Sequence, residues 1–255
     1  MKVAFLHFDL SGGPAKYNLQ KIIAGIEVAV DNGAEWIITP ETALQGYFFS
    51  EQTREKLDAP ISIDALAPIV ALAKKHKLHI YFCYAEAAET GHKYNSCAII
   101  ESTGIRFIQR KMSGHTVGAE AWSSKSNRFK LIELGGLRTG ILICSDSWYI
   151  KNAETARSLS ADLLIVPAAW NDFDCGGGMP ETAWQRCSVI SEAPVWVCNQ
   201  TGNKQRLDFT SAKSAVVCGN KTRLCYSGRE AILLFEWDEK TNCLVSNKFL
   251  IVRLN

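Results

Sequence analysis

The 255-residue sequence carries little net charge, and it contains no long apolar segment. Lysine and arginine number 28 against 26 aspartate and glutamate, a formal net charge of +2, and they form no basic run. Because nucleic-acid-binding proteins concentrate positive charge on one face, this balance disfavours a nucleic-acid partner. No apolar stretch approaches the roughly 20 residues that a membrane-spanning helix needs. The N-terminal run 3–10 is interrupted by His7 and Asp9, which indicates a first strand rather than a secretion signal. We therefore expect a cytoplasmic protein without a membrane partner.

The nine cysteines lack the spacing of a zinc site or of a disulfide framework. No Cys-x-x-Cys pair occurs, the closest two cysteines, Cys218 and Cys225, are seven positions apart, and the five histidines are scattered singly. Structural zinc sites use short Cys/His spacings, and an odd number of cysteines argues against complete disulfide pairing. We expect most of these cysteines to be small buried residues in a reducing compartment.

The sequence does contain a regular alternation of short apolar runs with segments of helical periodicity. Apolar positions over 19–30, stopped by Asn32-Gly33, predict an amphipathic helix between strands at 2–8 and 35–39. Strands predicted at 78–84, 163–166 and 195–198 follow the same alternation, which hairpins near 102–104 and 135–136 interrupt. No linker or repeat divides the chain, so this pattern favours one α/β domain over residues 1–255, with mixed sheets covered on both faces. In such folds the chemistry gathers at the carboxyl ends of the strands.

Three predicted strands end in reactive side chains. Glu41 follows Pro40 at the mouth of an apolar strand, where partial burial would raise its pKa and suit it to act as a base. Lys111 ends a hairpin strand, where it could stabilise a developing oxyanion. Cys144 stands between the apolar strand 139–143 and a polar turn, a position that exposes a nucleophile. Each residue also has an ordinary interpretation: a loop glutamate, an edge lysine and a core cysteine.

The combination and order of these motifs resemble the nitrilase superfamily of carbon–nitrogen hydrolases. The motifs are Pro-Glu-x-x-x-x-Gly-Tyr at 40–47, Arg-Lys at 110–111 and Ile-Cys-x-Asp at 143–146. Further matches across the chain are Asn18, Tyr94-Asn95, Pro167-Ala168-Ala169-Trp170 and Asn199-x-x-Gly202. The resemblance implies a four-layer αββα sandwich with mixed sheets. It also implies acyl transfer through a thioester, which needs no metal and no cofactor.

The resemblance assigns a role to each matching residue. Glu41 matches the general base and Cys144 the nucleophile. Lys111 matches the lysine that stabilises the oxyanion, with the backbone N–H of Ser145 as a second donor. Glu120 is the candidate for a second glutamate that many members carry, although the segment after it is shortened to 122–127 here.

Four residues just beyond the strand-end motifs are expected to line a substrate pocket: Tyr47, Trp148, Trp170 and Asn171. The loop 171–178 carries Asp172 and Asp174, and it is either a solvated loop or a site for a cationic group. His7 and Cys218 depart from the Gln and Pro that many relatives have at these positions.

The residues after Cys144, Ser-Asp-Ser-Trp, lack the Cys-Trp-Glu pattern common in true nitrilases. Asp146 and Trp148 resemble the amidase and carbamoylase branches of the superfamily, and this resemblance implies a small linear amide or an N-carbamoyl compound as substrate. The alternatives are a nitrile-hydrolysing enzyme, a non-catalytic binding protein with this fold, a Cys–His dyad with His115, and a metal-dependent phosphodiesterase on a similar sandwich. The resemblance further implies a homodimer or a larger homo-oligomer.

Overall fold

Two β-sheets pack face to face between helices in the structure, a computed structural model that describes residues 1–10, 13–50, 59–114, 118–171, 179–202 and 208–254. The helices are α1 (Ala15–Asp31), α2 (Ala67–His76), α3 (Ile150–Ser158) and α4 (Pro180–Ser191), with short 3₁₀ helices at Ile63–Leu66, Gly118–Glu120 and Cys144–Trp148. The strands are β1 (Lys2–His7), β2 (Trp36–Ile38), β3 (His79–Ala87), β4 (Lys93–Glu101), β5 (Gly104–Arg110), β6 (Ile132–Leu134), β7 (Leu137–Ile141), β8 (Leu163–Ala168), β9 (Val195–Asn199), β10 (Lys213–Cys218), β11 (Lys221–Ser227), β12 (Ala231–Asp238), β13 (Cys243–Leu244) and β14 (Leu250–Val252).

Each sheet has parallel strands at its centre and antiparallel strands towards its edges. The first sheet has the order β13-β12-β1-β2-β3-β4-β5, with β14 also paired to β12, and the second has the order β11-β10-β9-β8-β7-β6. Strands β1, β2 and β3 are parallel, whereas β4 is antiparallel to both β3 and β5. Strand β5 therefore runs in the same direction as β2, and the carboxyl ends of these two strands lie at the same edge of the first sheet.

Alternating side chains of the central strands enter two different cores. On β1, Val3 and Phe5 belong to the core between the sheets, whereas Ala4 and Leu6 pack with α1 and α2 on the outer face. This alternation is the two-residue period of a strand, with both faces covered. In the core between the sheets, Trp36 of the first sheet lies 6.0 Å, centroid to centroid, from Trp196 of the second.

The α/β sandwich expected from the sequence is confirmed, and the differences concern the ends of elements. Helix α1 begins at Ala15, four residues before the first apolar position of the pattern, and Asn32 is its C-cap as predicted. Strand β3 extends to Ala87, beyond the expected end at 84, because its pairing with β4 continues to Lys93. Within the described ranges, no helix is both long and apolar enough to cross a bilayer.

Candidate active site

Glu41 lies at the carboxyl end of β2, where Pro40 ends the strand. Its side chain is buried, with 1% of the residue exposed. The Glu41 Oε2 atom accepts a hydrogen bond from the backbone N–H of Ala169 at 3.0 Å, and Oε1 accepts one from Asn95 Nδ2 at 2.7 Å. The interpretation of Glu41 as a solvated loop residue is therefore wrong, and its carboxylate is held by groups from both sheets.

Lys111 follows directly after β5 and is equally buried. Its Nζ donates to Glu41 Oε1 at 2.7 Å and to both Glu120 carboxylate oxygens at 2.7 Å. An ammonium group has three donors and no acceptor, so these contacts use all of its hydrogen-bonding capacity. Lys111 thus links two carboxylates, and it is not a solvated edge lysine.

Glu120 completes this charged cluster from the end of the 3₁₀ helix Gly118–Glu120, with 3% of the residue exposed. The Tyr47 hydroxyl donates to Glu120 Oε1 at 2.9 Å. Tyr47 follows Gly46, whose positive φ of 87° and backbone hydrogen bond to Thr42 O form the tight turn that delivers the ring. The structure therefore brings Tyr47 to the second carboxylate.

Cys144 is the first residue of the 3₁₀ helix Cys144–Trp148, three residues after Ile141 at the end of β7. Its φ of 50° is in the left-handed region, which is uncommon for a residue other than glycine and is a form of strain often found at functional sites. The Cys144 thiol is buried close to Glu41, Lys111 and Glu120, and the charges of all three act on its pKa. The predicted nucleophile, base and lysine thus meet in one buried cluster.

Asp146 connects the turn that carries Cys144 to the segment that carries Lys111. Its buried carboxylate accepts backbone hydrogen bonds from Met112 at 3.1 Å, Ser113 at 2.6 Å and Ile143 at 3.2 Å. The motif Ile-Cys-x-Asp contains Asp146. The sequence alone does not indicate that the Asp146 carboxylate accepts hydrogen bonds from a segment more than 30 positions away.

The pKa values of the cluster are governed by burial and by its internal charges. Burial, with the Glu41 charge next in importance, raises the pKa of the Cys144 thiol well above its usual range, so the resting group is a thiol. Burial also raises the pKa of Glu41, against the opposing effect of the Lys111 charge. Burial disfavours the Lys111 ammonium, but the charges of Glu41 and Glu120 outweigh it and raise the pKa of Lys111.

Two of the predicted pocket residues, Trp148 and Trp170, contact each other. The rings of Trp148 and Trp170 are 5.9 Å apart. Asn199 fixes the Trp170 backbone, because its Oδ1 accepts from the Trp170 N–H at 2.9 Å and its Nδ2 donates to the Trp170 carbonyl at 2.7 Å. Asn171 is buried directly after Trp170. Ser145 lies in the first turn of the 3₁₀ helix, where backbone N–H groups have no intrahelical partner.

The other residues that the sequence analysis singled out are not part of this cluster or lie outside the described residues. His7 is buried at the end of β1, with Nδ1 2.9 Å from the Ser214 hydroxyl, and the half-buried Cys218 is the last residue of β10. His115, Asp172 and Asp174 lie outside the described residues.

The family model for carbon–nitrogen hydrolases matches residues 13–228. A relative, citrullinase of Francisella tularensis, is 31% identical over 231 residues, which cover 83% of this chain and 78% of that protein. The chain therefore belongs to the carbon–nitrogen hydrolase family, and the resemblance to the nitrilase superfamily is confirmed.

Solved structures share this fold. The carbon–nitrogen hydrolase of Helicobacter pylori G27 has a TM-score of 0.82 at 20% identity, over 95% of this chain and 90% of that one. An amidase variant from Nesterenkonia sp. AN1, with the acetamide moiety of fluoroacetamide on its active-site cysteine, has a TM-score of 0.81 at 16% identity over 95% and 92% of the chains. Glutamine-dependent NAD+ synthetase of Acinetobacter baumannii (TM-score 0.81, 23% identity) is matched over 100% of this chain, which spans only 48% of that protein's length.

Proposed function

We propose that the protein hydrolyses a small linear amide or an N-carbamoyl compound through a thioester on Cys144. The observation that carries this proposal is the buried contact among Glu41, Lys111 and Glu120 beside the Cys144 thiol. Citrullinase, which is similar over most of the chain, and the amidase from Nesterenkonia support the two substrate classes.

In the first half of the reaction, the Cys144 sulfur attacks the carbonyl carbon while Glu41 takes the thiol proton. A neutral thiol with a raised pKa needs a base, and after burial the Glu41 charge has the largest effect on the pKa of this thiol. The oxyanion forms between the Lys111 ammonium and the Ser145 backbone N–H. Because Lys111 already donates three hydrogen bonds, it must weaken one contact to Glu120 as the oxyanion develops.

In the second half, Glu41 returns the proton to the leaving nitrogen, and ammonia departs with the C–N electron pair. Glu41 then removes a proton from a water molecule, which attacks the thioester carbon. The C–S bond breaks, the acid is released, and the proton on Glu41 restores the thiol. Each proton taken by Glu41 is thus returned within the cycle, and no external acid is consumed.

An ammonia-release screen tests the proposal and the substrate class together. The substrates are an amide, an N-carbamoyl amine and a nitrile that share one carbon chain, and release is measured for the wild-type protein and for Cys144→Ala. We expect the amide or the carbamoyl compound to be hydrolysed and Cys144→Ala to be inactive. Cys187→Ala, which changes another buried thiol, on α4, is the matched control and should keep its activity.

Two results of this screen would contradict the proposal. Ammonia release that survives Cys144→Ala would remove the thioester, and release from the nitrile alone would replace the substrate class with that of a nitrilase.

A further inference from the structure

Asn95 contacts both charged partners of the catalytic cluster. It lies on β4 opposite Ala85 of β3, and no part of it is exposed. Its Nδ2 donates to Glu41 Oε1 at 2.7 Å, and its backbone carbonyl accepts the backbone N–H of Lys111 at 2.8 Å. One residue therefore fixes the side chain of the base and the main chain of the lysine.

The Asn95 carboxamide donates a hydrogen bond through Nδ2 but accepts none through Oδ1 from the described residues. Its Oδ1 is buried. A flipped carboxamide would place this oxygen against the Glu41 carboxylate, so that two acceptors would face each other, and the Glu41 contact therefore fixes the orientation. A buried acceptor without a partner lowers stability, so an apolar side chain would suit this strand position better if packing were its only role.

The Glu41 carboxylate is held in one orientation by donors on both of its oxygens. Oε1 accepts from Lys111 and Asn95, and Oε2 accepts from the Ala169 backbone. A hydrogen bond to a carboxylate favours its ionised form. Asn95 thus opposes the effect of burial, which favours the protonated acid.

We propose that Asn95 is a positioning residue that keeps Glu41 ionised and aligned with the Cys144 thiol. This inference rests on the function proposed above for Glu41. It assigns to Asn95 no contact with the reacting atoms.

The test follows alkylation of Cys144 by 2-chloroacetamide as a function of pH, with modification at this cysteine quantified by mass spectrometry. The sulfur attacks the chloromethyl carbon, chloride leaves, and Glu41 takes the thiol proton, so the rate reports the ionisation of Glu41 without any turnover of substrate. The acid limb of the profile is the fall of the alkylation rate at low pH, which we expect where Glu41 becomes protonated. Glu41→Gln is the reference variant, and it should abolish this limb.

Two variants remove the donor in different ways. Asn95→Leu has no polar atom, and Asn95→Asp keeps the shape but adds a negative charge. We expect the acid limb to move to higher pH by about one unit in Asn95→Leu and further in Asn95→Asp, because each change favours protonated Glu41. Ser96→Ala, which removes the neighbouring buried hydrogen bond from Ser96 to Glu86, is the control and should leave the limb unmoved.

The outcomes separate this inference from the proposed function. A limb that stays in place in both Asn95 variants, while Glu41→Gln abolishes it, would overturn the role of Asn95 alone. A limb that also survives in Glu41→Gln would overturn Glu41 as the base, and with it this inference. If the wild-type protein hydrolyses none of the test substrates, the alkylation profile still decides whether Asn95 acts on Glu41.

Discussion

At the scale of single residues, Lys111 is the cation that allows two carboxylates to be buried together. Glu41 and Glu120 are almost fully buried, and each contacts Lys111 Nζ at 2.7 Å. Removing one member of a buried ionic group leaves uncompensated charge, which costs far more than the intact group contributes.

We expect Lys111→Met to lose activity and about 3–5 kcal/mol of stability at neutral pH. The loss should shrink as the pH falls, because the raised pKa of Glu41 lets this carboxyl group take up a proton. Urea unfolding at pH 8 and at pH 5 measures both effects. The double variant Lys111→Met with Glu120→Gln should recover part of the stability but no activity, and an equal loss at both pH values would contradict the explanation.

Tyr47 gives a milder residue-scale prediction, because its hydroxyl is a single donor to Glu120. Without it, Glu120 keeps its bonds to Lys111 and competes more strongly with the oxyanion for this cation. We expect Tyr47→Phe to lower kcat about tenfold, the order of magnitude of one charge-assisted hydrogen bond. Steady-state kinetics measure this, with the exposed Tyr17→Phe as the control. An unchanged kcat would mean that the hydroxyl only fills space.

The sequence was sufficient to predict which residues belong to the candidate site, but not which contacts they make. Glu41 and Cys144 end apolar runs, a local pattern, and this pattern together with the family motifs identified them. The role of Asn95 depends on the register of β4 against its neighbours, which no local pattern gives. Glu120 ends no apolar run, so no local pattern indicated it, and only the resemblance to the family pointed to this residue.

At the scale of elements, the Asp146 carboxylate connects the end of β7 to the segment after β5. Three backbone N–H groups from these two places converge on it. The Ser113 and Ser145 hydroxyls, 2.8 Å apart, add a second link between the same segments. The separation of Lys111 from Cys144 is therefore fixed by main-chain contacts as well as by the charged cluster.

We expect Asp146→Ala to impair catalysis more than Ser113→Ala does. The aspartate change leaves the buried Ile143 N–H without an acceptor, at a cost of about 1–3 kcal/mol, and it also removes the acceptor of the partly buried Met112 and Ser113 N–H groups. The serine change removes only one hydroxyl contact. Activity and the midpoint of urea unfolding, measured on both variants, test this order. The reverse order would show that the hydroxyl pair, and not the carboxylate, holds the two segments together.

Elements were predicted reliably where their own residues determine them. The apolar period of α1 and the glycine pair between β6 and β7 are local signals, and the structure has these elements. The extension of β3 to Ala87 depends on its partner strand, so it could not be predicted from the residues of β3 alone.

At the scale of the whole molecule, His7 is a buried link between the two sheets. It ends β1 of the first sheet and contacts the Ser214 hydroxyl of β10 in the second. Burial lowers the pKa of His7 from 6.5 to about 4. Below pH 6.5 the unfolded chain therefore binds a proton that the folded protein excludes, so stability falls as the pH drops towards 4.

We expect this proton to cost about 3 kcal/mol of stability between pH 6.5 and pH 4. The variant His7→Gln, which cannot take up this proton, should have a flatter pH dependence over this window. Urea unfolding at pH 7 and at pH 4.5 tests it, with the exposed His92→Gln as the control. Equal losses in wild type and in His7→Gln would assign the acid sensitivity to other groups.

Because Trp36 and Trp196 pair across the two sheets, tryptophan fluorescence can be compared with the return of activity during refolding. Glu41 and Lys111 come from the first sheet and Cys144 from the second, so neither sheet alone can assemble the reactive centre. Quenching or shifting of tryptophan emission reports the docking of the sheets, because these two rings meet only then. Enzymatic activity should therefore return with the same time course as the change in tryptophan fluorescence. If strands form before the sheets dock, the backbone circular dichroism signal should recover earlier than either.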